Sequence, residues 1–398
     1  MVSGEITNPQ NGFNCNFGDT IVVAGNFSCD YPIQSAYLSL RDPNLNTIIT
    51  GKLIGENLGT THQFATEFIL DNPDAASGNY QLKISIRSER ETIFLDNTVV
   101  IHVNSVPRTT LKTFCVTGTN SYFNLHELTG GSSVILNSYT SSFLNMHIDG
   151  RYKKIYLCSK EKVRALNSET YQEQFQLSPL ALNSDSFVTS ELYSNKLNLG
   201  RNDGNIIQYN LTGQRIAETG ENLFFRPLLT TTTSDHLYSS ILKNTDRKIS
   251  VFFFPNGSAR QELLVDFDIV NFHPVSANEI IVVGNRNGHL LICKYFLNTN
   301  GIQVLSDSPN TFCNSTLSYN GVILLLTNSG LLNYEYPANT LQTRNSGIFM
   351  GANYDEVNDI LYCFSGSNIK QLNGTSYADL GDLMMPDSVM AVSVLYSK

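Results

Sequence analysis

The sequence predicts an all-β protein, and three observations carry the prediction. Helix signals are nearly absent, while short β-branched and aromatic runs recur between tight-turn residues. Apolar and polar residues alternate in the first hundred residues, as in Tyr80, Leu82, Ile84 and Ile86 against Gln81, Lys83 and Ser85. Beyond Thr110 an apolar strand, a tight turn, a second strand and a polar turn repeat with a period of about 41 residues. Together they predict two domains. Residues 1–106 form a β-sandwich, and residues 107–398 form a seven-bladed β-propeller closed by the C-terminal strand.

In the first part the expected strands are Thr20–Ala24, Ala36–Leu40, Thr47–Leu53, Phe64–Leu70, Tyr80–Ile86 and Thr92–His102. About seven short strands in a hundred residues fit an immunoglobulin-like sandwich. The stretch from Phe17-Gly18-Asp19-Thr20 to Gly25, followed by Gly78-Asn79-Tyr80-Gln81-Leu82, resembles the Ig-like modules of bacterial cell-surface proteins. The run Val103-Asn104-Ser105-Val106-Pro107-Arg108 reads as the linker.

The second part repeats itself. Copies run from Ile155 to Asn167, from Leu197 to Tyr209, from Ile280 to Cys293, from Val322 to Tyr334 and from Ile360 to Leu372, with a divergent one expected at Ile249. Turns fall at Asp203-Gly204, Asn256-Gly257, Asn287-Gly288, Asn320-Gly321 and Asn373-Gly374, as at Asn11-Gly12 earlier. Asn-Gly suits a type I′ hairpin, where both central residues need positive φ. Ile155 and Ile360 start copies five repeats apart, so the region holds about seven. One period before Ile155 lies Phe114, within the strand-like Leu111–Thr117. Ser388–Tyr396 is left without a blade of its own, and closing the first blade would remove an open sheet edge. The region resembles the YVTN and WD-repeat class of seven-bladed propellers. The chain has no Trp, so the Trp-Asp dipeptide is absent, as are the Trp-dependent motifs of sialidase and quinoprotein propellers.

Charge and cysteine usage exclude some functions. Lys and Arg total 26 against 35 Asp and Glu, a net charge of −9. Basic residues are scattered, with Arg151-Tyr152-Lys153-Lys154 the densest run, so nucleic acid is not an expected partner. No apolar run approaches the ~18 residues of a membrane helix, so no transmembrane segment is expected. The seven cysteines form no C-x-x-C pair, and Cys15–Cys29 is the one disulfide to consider. The start Met1-Val2-Ser3-Gly4-Glu5 is not a signal peptide. It suits either a cytosolic start or a chain whose export signal has been removed.

No nucleotide-binding, zincin, nucleophile-elbow or EF-hand motif occurs, so no catalytic residue, metal or cofactor is assigned. Propeller sites draw on several blades, so polar residues near blade entries are the candidates for binding. His147 and Asp149 precede the Ile155 hairpin, His273 lies in Asn271-Phe272-His273-Pro274, and Tyr354 lies in Asn353-Tyr354-Asp355. Arg226 follows Leu223-Phe224-Phe225, and a charge among bulky apolar residues needs a partner or a channel. The bland alternative for each is a hydrogen-bonded residue within a strand or a solvated loop. Asp266 and Asp268 read as a solvated face. His62, His102, His126, His236 and His289 have no suggestive spacing.

The expected function is a non-catalytic binding or adhesion protein of a bacterial envelope, periplasmic or extracellular, with a lipid anchor before signal removal as an option. It would be a monomer that takes a protein, peptide or glycan at the propeller face. The alternative is a hydrolase or lyase with its site in the propeller channel. An intracellular scaffold would suit the free cysteines but not an Ig-like module.

Overall fold

Short apolar runs bounded by Gly, Asn and Asp leave the backbone few options but strands, and the computed structural model of the chain consists of strands joined by turns. It describes all residues except 1, 44–46, 73–74, 89–91, 95–97, 180–185, 220–225, 234–235, 254–257, 277, 320 and 398. Among the described residues there is no helix, and so none long and apolar enough to cross a membrane. The chain divides into two compact units, Met1–Arg108 and Thr109–Ser397.

The first unit has two sheets. One orders Val2–Asn8, Thr20–Cys29 and Thr61–Ile69. The other orders Phe13–Asn16, Val99–Asn104, Gly78–Ser88, Ile33–Arg41 and Thr47–Glu56, with Thr92–Phe94 paired to Gly78–Ser88. Their inner faces share one core, with Val23, Phe27 and Phe68 from the first sheet and Leu38, Leu82, Ile84 and Ile101 from the second. Two strands escaped the sequence reading. Val2–Asn8 and Phe13–Asn16 carry little apolar pattern, and pairing to Thr20–Cys29 and Val99–Asn104 holds them extended. The single strand expected at Thr92–His102 is two strands, with residues 95–97 between them outside the described set.

The second unit has seven four-stranded antiparallel sheets among the described residues. Sheet 1 orders Val389–Tyr396, Thr110–Gly118, Phe123–Thr129 and Ser132–Tyr139, so its leading strand is the C-terminal one. Sheet 2 is Phe143–Asp149, Lys154–Ser159, Val163–Asn167 and Glu173–Leu177. Sheet 3 is Phe187–Tyr193, Lys196–Arg201, Ile206–Tyr209 and Arg215–Glu218. Sheet 4 is Arg226–Thr232, His236–Lys243, Asp246–Phe253 and Ser258–Val265. Sheet 5 is Asp268–Ser276, Glu279–Arg286, His289–Phe296 and Gly301–Ser308. Sheet 6 is Cys313–Tyr319, Val322–Thr327, Gly330–Glu335 and Thr340–Asn345. Sheet 7 is Gly351–Asp355, Ile360–Ser365, Asn368–Asn373 and Asp379–Met384. Ile249 belongs to the third strand of sheet 4, so the divergent repeat begins earlier than the sequence suggested, in a second strand at His236–Lys243.

Burial explains why the middle strands are continuous apolar runs. Val322–Thr327 and Glu279–Arg286 are buried on both faces, because each sheet packs against a neighbour on each side. The fourth strands, such as Thr340–Asn345 and Asp379–Met384, are mostly exposed. Apolar cores join each sheet to the next. Leu157 of sheet 2 packs with Phe114 and Val116 of sheet 1, and Phe187 of sheet 3 with Tyr156 of sheet 2. Ile206 of sheet 3 meets Leu237 of sheet 4, and Tyr238 of sheet 4 meets Tyr295 of sheet 5. Cores also join sheets 5 and 6, sheets 6 and 7, and sheet 7 back to Val389, Val392 and Val394 of sheet 1.

In sheets 2, 5, 6 and 7 the turn between third and fourth strands adds a second tie, because it reaches back to the preceding sheet. The hydroxyl of Tyr171 bonds Glu127, and Asn300 donates to the Glu262 carbonyl at 2.9 Å. Tyr336 accepts from Lys294 at 2.7 Å, and Tyr377 donates to Asn333 at 2.9 Å. Asn287-Gly288 is the type I′ turn its sequence promised, with φ of 52° and 80°. Asn373-Gly374 is not. The Asn373 side chain caps a longer turn by accepting from Ser376, and a Cβ on Gly374 would lie 2.4 Å from the Tyr354 ring. Asn256-Gly257 and Asn320 lie outside the described residues. All seven cysteines are free and buried, so Cys15 and Cys29 are not joined. Burial, with the nearby Asp19 charge, pushes the Cys15 thiol up to about 11.

Candidate functional site

The leading strands are partly buried and carry many polar side chains, most of them small hydroxyls and amides. A recurring position on them carries an ionisable group in three sheets. Counted by pairing with the second strand, His147 opposes Tyr156, Glu191 opposes Asn198 and His273 opposes Ile281. Each lies two residues beyond the residue that resumes pairing after a β-bulge in its strand. The bulge re-aims the strand, and each of the three side chains then bonds the following sheet.

His147 of sheet 2 places Nε2 2.9 Å from Ser190 Oγ of sheet 3. It keeps some accessible surface but is surrounded by protein, and that burial pushes its imidazole down to about 4 against the help of Ser190. Glu191 of sheet 3 accepts from the backbone N–H of Thr232 in sheet 4 at 2.6 Å and from its hydroxyl at 2.7 Å. Asn198 donates to Glu191 at 3.2 Å and accepts from Gln208 at 2.9 Å. Burial raises the Glu191 carboxyl above its ordinary range, although these donors pull the other way. Sequence reading missed this residue. The signal was its shared register with His147, which appears only when the repeats are aligned by pairing.

His273 of sheet 5 is buried and bonds sheet 6 through both ring nitrogens. Nδ1 lies 2.6 Å from Ser318 Oγ, and Nε2 lies 2.8 Å from Thr316 Oγ1. Desolvation pushes it down to about 4, so at neutral pH one nitrogen donates and the other accepts. Beside it a cavity of about 360 Å³ opens between sheets 5 and 6. Val275, Ser318, Tyr319, Ile323 and Tyr336 help to line it, and none of its lining residues carries a formal charge with His273 neutral. This lies at the lower end of the ~300–1,000 Å³ range of ligand pockets. The Tyr336 wall is braced from outside, because its hydroxyl accepts from Lys294 and Lys294 pairs with Glu279 at 2.8 Å.

The other sequence-predicted residues fall elsewhere. Tyr354 of sheet 7 is half-buried, packs against Tyr319 with ring centroids 4.7 Å apart and planes tilted by 51°, and donates to Asp359 at 2.9 Å. Arg226 is exposed at the start of the sheet 4 leading strand, before the bulge, away from the register shared by the histidines. Its apolar flank Leu223–Phe225 lies outside the described residues. Solvent hydrates the guanidinium, so the apolar flank does not oblige it to pair with a buried acid. Asp149 is buried and caps its strand end by accepting from the Tyr152 N–H at 3.0 Å. Asp266 and Asp268 are exposed and pair with Arg286 and Arg247. The candidates therefore do not converge on one centre. His147 and His273 serve separate sheet junctions, and of the four named binding candidates only His273 lines the cavity.

No protein-family model matches the chain, and no curated protein matches it. Solved structures do match. A functionally unknown protein from Desulfotomaculum acetoxidans DSM 771 superimposes with a TM-score of 0.51 at 12% identity, covering 71% of this chain and 98% of its own. The computationally designed Ika8 protein gives a TM-score of 0.50 at 13% identity, covering 71% of this chain and 87% of its own. At such identities the likeness is one of fold alone.

Proposed function

We propose that this chain is a non-catalytic binding or adhesion protein of a bacterial envelope. In this reading an Ig-like sandwich precedes a seven-bladed β-propeller whose first blade takes its innermost strand from the C-terminus. Seven four-stranded sheets support the propeller, as do the cores that join each sheet to the next and sheet 7 to sheet 1. The envelope location, periplasmic or extracellular, follows from that layout by analogy.

The observation that carries the binding reading is the neutral cavity between sheets 5 and 6. A catalytic centre needs an ionisable group with a free lone pair or proton in reach of substrate. His273 instead commits both nitrogens to hydroxyls of sheet 6. What remains is an apolar and hydroxylic surface that can hold a ligand without reacting with it. The test is to present the full chain to peptide and glycan arrays and to analyse retained compounds by mass spectrometry. Compounds should be retained and recovered unchanged. Recovery as cleaved or eliminated products would replace this reading with a hydrolase or lyase, and retention of nothing would remove it.

A further inference from the structure

The cavity has a counterpart one junction further on, and there the chain fills it with its own side chains. Sheets 6 and 7 end their second strands in equivalent tight turns at Thr327–Gly330 and Ser365–Asn368. Four residues before those turns lie Ile323 and Leu361, which oppose Ser318 and Tyr354 on the leading strands. Ser318 and Tyr354 are therefore the same position in successive sheets. Along the leading strands, Val275 of sheet 5 matches Tyr319 of sheet 6, each four residues past the residue that resumes pairing after the first bulge, although Val275 lies in a second register shift while Tyr319 pairs with Val322. At the junction of sheets 6 and 7, Tyr319 and Tyr354 pack as a tilted ring pair, and the Tyr377 hydroxyl bonds that of Tyr319. At the junction of sheets 5 and 6 the corresponding residues are Val275 and Ser318, with Tyr336 from the matching turn. A tyrosine has become a valine and another a serine, and the lost ring volume is the cavity.

We propose that the cavity binds an uncharged aromatic side chain of a peptide partner, which takes the place that Tyr354 occupies one junction on. Three features fix the chemistry. The walls carry no formal charge, so a charged side chain would lose its hydration without compensation. Tyr319 lines the cavity and already packs against one aromatic ring, Tyr354 of sheet 7. Ser318 is an exposed residue whose hydroxyl, beyond its bond to His273, keeps hydrogen-bonding capacity for a ligand hydroxyl or backbone group. Aromatic pairing adds about 0.5–1.5 kcal/mol to area burial, which favours an aromatic over an aliphatic side chain of similar size by about fivefold.

This proposal rests on the binding reading above, and its test separates the two. The probes are N-acetyl-L-tyrosinamide, N-acetyl-L-leucinamide, N-acetyl-L-lysinamide and methyl β-D-glucoside, titrated into the full chain and followed by ligand-observed NMR. Tyrosinamide should bind about fivefold tighter than leucinamide, with lysinamide and the glucoside weaker still. Val275→Tyr and Ser318→Tyr each restore a ring that sheets 6 and 7 possess, and each should abolish tyrosinamide binding. Val275→Tyr leaves the contact between Ser318 and His273 untouched, so it remains informative if Ser318→Tyr folds poorly. Equal binding of leucinamide, preference for the glucoside, or tyrosinamide binding that survives in folded Val275→Tyr would each overturn the proposal. An array ligand still retained by Val275→Tyr would sink this cavity while leaving the binding function standing.

Discussion

Sheets 5 and 6 meet around a cavity, and sheets 6 and 7 meet around three tyrosine rings. Both junctions have antiparallel second strands and a third-to-fourth turn that reaches back, although the sheet 5 leading strand carries a second register shift at Val275 that sheets 6 and 7 lack. The difference is in side-chain volume at two positions, Val275 against Tyr319 and Ser318 against Tyr354. Interiors pack at near-crystalline density, so a missing ring is not absorbed by small shifts and persists as space. A repeated fold can thus open a cavity by leaving out at one junction the rings that it supplies at the next.

The largest test of this comparison removes the residue common to both junctions. Tyr319 is 8% exposed, packs against Tyr354, donates to the Gly374 carbonyl at 3.2 Å and lines the cavity. Tyr319→Ala should lower stability by about 3–5 kcal/mol, as deletion of a buried aromatic does. Denaturant unfolding measures the loss. A cost under 1 kcal/mol would mean that the paired rings do not hold sheets 6 and 7 together.

A smaller effect separates the junctions by pH. An unfolded histidine takes up its proton near pH 6.5, but His273 resists protonation until about 4. Between those values the unfolded chain binds more protons, so stability falls as acid is added. The full loss below pH 4 is about 3 kcal/mol for such a group, and His147 between sheets 2 and 3 behaves alike. Tyr319 has the opposite sign. Burial raises its phenol above the usual value near 10, followed by its bond to Tyr377. Its contribution is therefore intact below pH 10 and is lost as alkali deprotonates the unfolded chain first. Melting temperatures across pH should show His273→Asn reducing the acid loss and sparing the alkaline one, and Tyr319→Phe doing the reverse. An unchanged acid limb in His273→Asn would remove His273 as the acid-sensitive tie.

Which of these features the sequence reveals depends on whether they are local. Val322–Leu326 reads as a strand because burial on both faces makes it continuously apolar, and that is visible in five residues. His147 and His273 also stand out locally, as polar residues just before legible hairpins. Their partners do not, because Ser318 is 45 residues from His273 and meets it only through sheet packing. Glu191 passed unnoticed near a strand end, where an acid looks solvated, although its partner Thr232 buries it. Arg226 misled in the other direction, since apolar neighbours in sequence do not say which face of a strand the guanidinium takes. The cavity is the least legible feature. It is a difference between two junctions, and it appears only when each strand is aligned to its partner.

The smallest effect concerns the brace behind the cavity wall. Tyr336 accepts a hydrogen bond from Lys294 across sheets 5 and 6, while the Lys294 ammonium also lies over the Tyr336 ring at 5.2 Å and pairs with Glu279. Tyr336→Phe removes the acceptor but keeps the ring, and Lys294 keeps its carboxylate partner. The donor is not orphaned, so the loss should be about 1 kcal/mol, the net worth of one hydrogen bond. Tyr377 makes the corresponding reach at sheets 6 and 7, where its hydroxyl serves both Tyr319 and Asn333. Tyr377→Phe leaves the buried Asn333 oxygen without that donor, and by the same reasoning should cost about 1–3 kcal/mol. Denaturant unfolding of the two variants side by side checks the order. If Tyr336→Phe proves the more damaging, the wall of the cavity depends on Lys294 more than the filled junction depends on its third tyrosine, and the two junctions differ in more than ring volume.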